Sequence, residues 1–127
     1  MKFLPVVSTV LSILGSVQAA KSPFFILTGD STVATGGGWG DALINGTKKP
    51  GSGINLAKNG ATTVSFRDQG LWDKALDQIK AQKSKHEAIV TIQFGHNDQK
   101  TLTLEQCSDN LSTMIGEVKS TGGTAVS

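Results

Sequence analysis

Phe24-Phe25-Ile26-Leu27-Thr28-Gly29 sets four consecutive large apolar residues in front of a Thr-Gly stop. A half-buried strand would show a polar residue at every second place. This run shows none, so it reads as a short strand covered on both faces, the kind found inside parallel sheets. Asp30-Ser31 follows without a spacer, which puts a hydroxyl at the carboxyl end of a buried strand.

The chain around this strand alternates helix and strand signals. Gly36-Gly37-Gly38 marks a loop, and Trp39 to Ile44 reads as a short helix. Lys48-Lys49-Pro50-Gly51-Ser52-Gly53 is turn material, and Ile54-Asn55-Leu56-Ala57 is a weak strand running into Asn59-Gly60. After Gly70, Leu71, Trp72, Ala75, Leu76 and Ile79 recur at helical period, with Asp73, Lys74, Asp77 and Lys80 off the stripe. Glu87 to Phe94 reads as a strand closed by Gly95. Thr103 with Gln106 three places later predicts a capping box. Behind it Leu104, Cys107, Leu111, Ile115 and Val118 share one helical face. Gly122-Gly123 ends that helix, and Thr124 to Ser127 opens another strand.

Strand and helix in this alternation predict an α/β domain with a parallel sheet and right-handed crossovers. Function in such sheets gathers at the carboxyl ends of the strands. Three of those ends read Gly29-Asp30-Ser31, Asn59-Gly60 and Gly95-His96-Asn97-Asp98. All three are therefore expected on one edge. No further helix or strand follows the last strand, so the sheet is expected to lack partners there.

The chain has 127 residues, enough for one small domain, and no run of like charges suggests a disordered tail. Residues 1–20 read as a signal peptide: Lys2, an apolar run from Leu4 to Leu14 too short to span a bilayer, then small residues up to Ala19-Ala20. The domain proper is then 21–127, secreted and extracellular. Lys2 is the only charge in the leader, so the net charge of +2 falls to +1 on cleavage. That balance gives no reason to expect nucleic acid or a membrane as partner. The tripeptides Asn45-Gly46-Thr47 and Asn110-Leu111-Ser112 fit N-glycosylation and agree with secretion. Cys107, the only cysteine, reads either as half of a disulfide or as a small buried apolar residue.

Ester hydrolysis at serine needs a nucleophile, a base and donors for the oxyanion. Ser31 supplies the hydroxyl. Its own N–H, the N–H of Gly60 and the amide of Asn97 are the candidate donors. His86 stands at the amino end of its strand, roughly 25 Å from Ser31 at about 3.3 Å per residue, too far to be the base. His96 lies at the correct edge, where shaping the loop beside Asn97 is the simpler role. Asp30 and Asp98 are expected to hold loops by accepting backbone N–H bonds. Trp39 either lines a sugar site or packs under the first loop, and Arg67 either meets an acidic sugar or sits in solvent. The triple glycine lacks a Gly-Lys-Ser/Thr ending, so no nucleotide is expected. No ligand spacing suggests a metal, and no cofactor is expected.

Gly29-Asp30-Ser31-Thr32, Asn59-Gly60-Ala61 and Gly95-His96-Asn97-Asp98 resemble, in order, the first three signature blocks of the SGNH (GDSL-type) hydrolases. Val33-Ala34, Gly38-Trp39-Gly40, Ser65-Phe66-Arg67-Asp68-Gln69-Gly70-Leu71-Trp72 and Phe94 are similar to the rhamnogalacturonan acetylesterase branch. The resemblance implies a flavodoxin-like three-layer α/β/α sandwich and a Ser-His-Asp triad. Ser31 would be the nucleophile, with Gly60 and Asn97 as oxyanion donors. It also implies a fourth block, Asp-x-x-His, near the family's C-terminus. This sequence contains no such block, so the chain is expected to be an N-terminal fragment with negligible turnover by itself. The resemblance further implies a monomeric esterase acting on acetylated polysaccharide. Xylan acetate and lipid esters remain alternatives, as does an inactive truncated product.

Overall fold

The computed structural model describes residues 21–127, so the expected signal peptide lies outside the described residues. The apolar run is strand β1, Pro23–Gly29. Then come α1 (Gly40–Gly46), β2 (Ser52–Asn55), α2 (Thr63–Asp68), α3 (Leu71–Gln82), β3 (Glu87–Gln93), α4 (Leu104–Thr121) and β4 (Thr124–Val126). A single 3-10 turn, Asp98–Lys100, lies between β3 and α4.

The four strands form one parallel sheet in the order β2-β1-β3-β4. Register and burial assign the two faces. Ile26 pairs with Val90 and with Ile54, and all three side chains face the main core beneath α2, α3 and α4. Leu27 and Thr91, one step along, face the other way, as strand geometry demands. There Leu27, Val33 and Ala34 form a second buried group outside the main core, beside α1. The helices thus lie on both faces. This division follows from handedness: the chain steps one way from β1 to β2 and the other way from β2 to β3 and β4. A right-handed crossover must change faces when the direction reverses.

The main core is carried by α3 and α4. Trp72, Ala75 and Ile79 of α3 are fully buried, together with Phe66 of α2 and Met114 and Val118 of α4. Truncating an aromatic residue such as Trp72 or Phe66 in such a core costs about 3–5 kcal/mol. Helix α4 starts on a capping box between Thr103 and Gln106 and ends at Gly122 in the left-handed conformation, both as the sequence predicts.

Three details differ from the sequence reading. Helix α2 is absent from that reading; Thr62 caps it through a box with Ser65, where the usual partner is Glu or Gln. Strand β2 begins at Ser52, because Ser52 and Gly53 pair with Phe24 and Phe25 despite their turn-like composition. It formally ends at Asn55, whose Oδ1 accepts the Ala57 N–H at 3.1 Å, but the Leu56 and Lys58 N–H groups still donate to Leu27 and Gly29. Leu104 is 88% exposed and does not join the apolar face of α4; the buried positions there are Met114 and Val118.

Arg67 is neither free in solvent nor aimed at the carboxyl edge. Its guanidinium forms a two-pronged pair with Glu117 at 2.5 and 3.2 Å, joining α2 to α4, and lies 5.9 Å from the Trp72 ring. The hydrogen bond to Arg67 holds the Glu117 carboxyl below its usual range, against an opposing effect of burial. The same pairing raises Arg67. A depressed carboxyl stabilises the fold above its unfolded pKa, and that stability is lost as pH falls through the folded value. The pair is partly exposed, with side chains 41% and 33% accessible, so Glu117→Gln is expected to cost below about 1 kcal/mol at pH 7. Urea melts should show the difference shrinking to nothing as the pH drops below the carboxylate range. A gap that persists in acid would mean that the residue acts by packing.

Candidate active site

The connections from β1 and β3 leave in opposite directions, to β2 and to β4, so the cleft between the carboxyl ends of β1 and β3 is the topological switch point of the sheet. Ser31 follows β1 and Asn97 follows β3, one on each side of that cleft. Gly29 and Gln93, the last residues of the two strands, are direct partners in the register.

The turn after β1 presents Ser31. The Asp30 carbonyl accepts the N–H groups of Val33 and Ala34, which bends the chain into a helical turn at once. Buried Asp30 braces it: Oδ1 accepts the Thr32 N–H at 2.9 Å and the Thr32 hydroxyl at 2.7 Å. The loop-holding role expected of Asp30 is what the structure contains. Gly29 is required by close approach, since a Cβ there would lie 2.6 Å from the Gln93 carbonyl oxygen and 2.9 Å from Val33 Cγ2. Ser31 itself is exposed at the tip. Among the described residues neither its hydroxyl nor its N–H has a protein partner.

The second loop, 56–62, is tied to the first through the Lys58 N–H and the Gly29 carbonyl at 3.0 Å. A turn closed by the Ala61 N–H and the Lys58 carbonyl then exposes Gly60. Open space surrounds Gly60, so the requirement is conformational: φ is +77°, which a side chain disfavours. Its N–H also has no protein acceptor among the described residues.

The third loop closes on the second. Asn97 Nδ2 donates to the Ala61 carbonyl at 3.2 Å, while Oδ1 accepts from Lys100 Nζ at 3.3 Å. These two contacts orient the amide and leave its second Nδ2 proton free. Beside it, Asp98 is fully buried and accepts the Thr63 N–H at 3.0 and 3.2 Å and the Thr63 hydroxyl at 2.5 Å. The Thr63 oxygen in turn accepts from Asn110 Nδ2 at 2.9 Å. Asp98 therefore holds a loop, as expected, but across 35 residues rather than within its own turn. Nothing in the sequence marked Thr63 or Asn110 as its partners.

The remaining candidates fall into place around this edge. His86 sits at the amino end, bonded through Nδ1 to Ser22 Oγ at 2.8 Å and packed against Phe24. His96 is exposed on the third loop. Trp39 is 38% exposed and donates through Nε1 to Gln93 Oε1 at 2.9 Å, bridging the first loop to the end of β3. Cys107 is a free, half-buried thiol; burial first, then the nearby Asp98 carboxylate, pushes its pKa up. It helps line a cavity of about 330 Å³ with Gly95, Gln99, Leu102, Thr103 and Leu104.

Residues 25–124 match the family model described as GDSL-like lipase/acylhydrolase. No curated protein matches the chain. Among solved structures, protein YXIM from Bacillus subtilis is similar at 21% identity and a TM-score of 0.66, over 85% of this chain and 32% of that one. The psychrotrophic esterase EstA from Pseudoalteromonas sp., in a structure inhibited by monoethylphosphonate, is similar at 14% identity and a TM-score of 0.57, over 81% of this chain and 57% of that one. The chain thus spans about a third and somewhat over half of these two proteins. At such identities they speak for the fold, while the family rests on the model that covers most of the sequence. The chain belongs to the GDSL (SGNH) lipase/acylhydrolase family and carries its α/β fold.

Proposed function

We propose that this chain supplies the nucleophile and oxyanion donors of a secreted serine esterase that removes O-acetyl groups from a pectic polysaccharide of the rhamnogalacturonan type. One observation carries the reading: an exposed serine, two backbone N–H groups without an acceptor among the described residues and an oriented asparagine amide stand on three loops hydrogen-bonded to one another at the switch point. Ser31 Oγ attacks the acetyl carbonyl carbon as its proton passes to a base, and the carbonyl electron pair moves onto oxygen. The Ser31 N–H, the Gly60 N–H and the free Asn97 proton receive that oxyanion, each such donor being worth about 3–4 kcal/mol in the transition state. Collapse expels the sugar oxygen, which takes the proton, and water then releases acetate from Ser31.

The base in this scheme is the histidine of an Asp-x-x-His block, a segment the 127 residues do not contain. The enzyme works outside the cell as a monomer, without metal or cofactor. A second reading, an ester with a larger apolar group, is favoured by the cavity that Leu102 and Leu104 line beside Gly95. Acetate release should be measured on acetylated rhamnogalacturonan, acetylated xylan and short-chain lipid esters, using a form extended to carry an Asp-x-x-His block. At least tenfold higher kcat/KM on the pectic substrate is expected. Preference for longer acyl chains would favour the apolar reading instead.

A further inference from the structure

The two glycosylation tripeptides are equivalent as sequence and opposite as structure. Asn45 lies in the last turn of α1, is exposed, and makes no side-chain hydrogen bond among the described residues. Helix α1 returns from the carboxyl edge of the sheet to the start of β2, so Asn45 stands at the amino edge, away from Ser31. Asn110 lies in the first half of α4 and is half-buried. One of its Nδ2 protons already goes to Thr63 Oγ1, whose own proton goes to the buried Asp98 beside Asn97.

We infer that Asn45 is the N-glycosylation site of the folded protein and that Asn110 keeps an unmodified amide as part of the brace behind the third loop. The inference rests on the reading of residues 1–20 as a secretory leader. In the transfer, a bond forms between Asn Nδ2 and C1 of a lipid-linked oligosaccharide. The bond from C1 to the lipid diphosphate breaks, the diphosphate leaves, and one amide proton is lost. A sugar on Asn45 extends into solvent and disturbs no contact. A sugar on Asn110 replaces a hydrogen on a nitrogen packed 2.9 Å from Thr63, in the groove between α2 and α4 that Thr63, Arg67, Asn110 and Met114 line. It crowds the Thr63 contact and the side chains lining that groove, and so weakens the hold on Asp98. The transfer acts on an unfolded segment, so selection falls on folding: chains modified at Asn110 fail to reach the compact state.

The test expresses the chain in a eukaryotic secretory host behind a heterologous cleavable leader, so that entry does not depend on residues 1–20. A parallel chain with its own leader tests the secretion reading separately. Secreted protein is treated with peptide N-glycosidase in heavy-oxygen water, and labelled aspartates are mapped by mass spectrometry. Label at position 45 and none at 110 is expected. Label at 110 in the soluble secreted fraction, or an empty 45, overturns the inference. Asn45→Gln should abolish the mobility shift and leave the unfolding temperature unchanged. Asn110→Ala should keep the shift and lower that temperature by about 4 °C or more. A melting temperature unchanged in Asn110→Ala would overturn the assignment of Asn110 to the brace.

Discussion

Ser31→Ala is expected to reduce aryl acetate hydrolysis by roughly a million-fold in a form of the protein extended to carry an Asp-x-x-His block, leaving a residual rate owed to substrate binding and the proposed oxyanion donors. The magnitude follows from how the parts act together. A nucleophile, its base and the group that orients the base operate as a unit, so losing one removes nearly all that the unit contributes. For the same reason a polypeptide confined to residues 21–127 is expected to be about as inactive as the alanine variant. It holds the proposed nucleophile and donors, yet His86 is held at the wrong end of β3 by Ser22, and His96 stands exposed without a bond to Ser31. Initial rates on p-nitrophenyl acetate compare the three proteins. Substantial turnover by the alanine variant would dismiss Ser31 as nucleophile. Substantial turnover by residues 21–127 alone would bring His96 forward as base.

The second large effect is on stability. Asp98→Ala is expected to cost about 3 kcal/mol or more, because it strands the buried Thr63 N–H and hydroxyl without acceptors and leaves a void between α2, α4 and the third loop. In a domain of this size that lowers the unfolding midpoint by roughly 15 °C. Asp98→Asn retains one acceptor oxygen and should lose about half as much. Thermal melts followed by circular dichroism measure both. The thiol gives an independent check: with the carboxylate gone, one cause of the raised Cys107 pKa disappears, so alkylation of Cys107 near neutral pH should quicken in native protein. A loss within about 0.5 kcal/mol of zero, with unchanged alkylation, would mean that Asp98 braces nothing.

Local pattern carried this protein a long way. Four apolar residues before Thr28-Gly29 sufficed for a strand covered on both faces, because successive side chains of such a strand alternate into two buried layers. The stripe from Leu71 to Ile79 and the cap at Thr103 located α3 and α4, since periodicity and capping are contests settled within a turn or two of chain. The parallel sheet followed from the alternation of elements, and with it the single edge on which Ser31, Gly60 and Asn97 stand.

Pairings between distant residues were decided elsewhere. Ser52 and Gly53 have turn composition and become strand only because β1 offers a ladder to complete. Helix α2 is six residues long, too short to persist by itself, and exists because Phe66 is buried under the sheet and Asp98 accepts its first N–H and the Thr63 hydroxyl. Arg67 finds Glu117 across 50 residues and Asp98 finds Thr63 across 35. Such bonds depend on which surfaces meet after the chain has collapsed, and no spacing along the sequence encodes that. The sequence by itself determined which groups are candidates for the chemistry; the tertiary structure decided what holds them still.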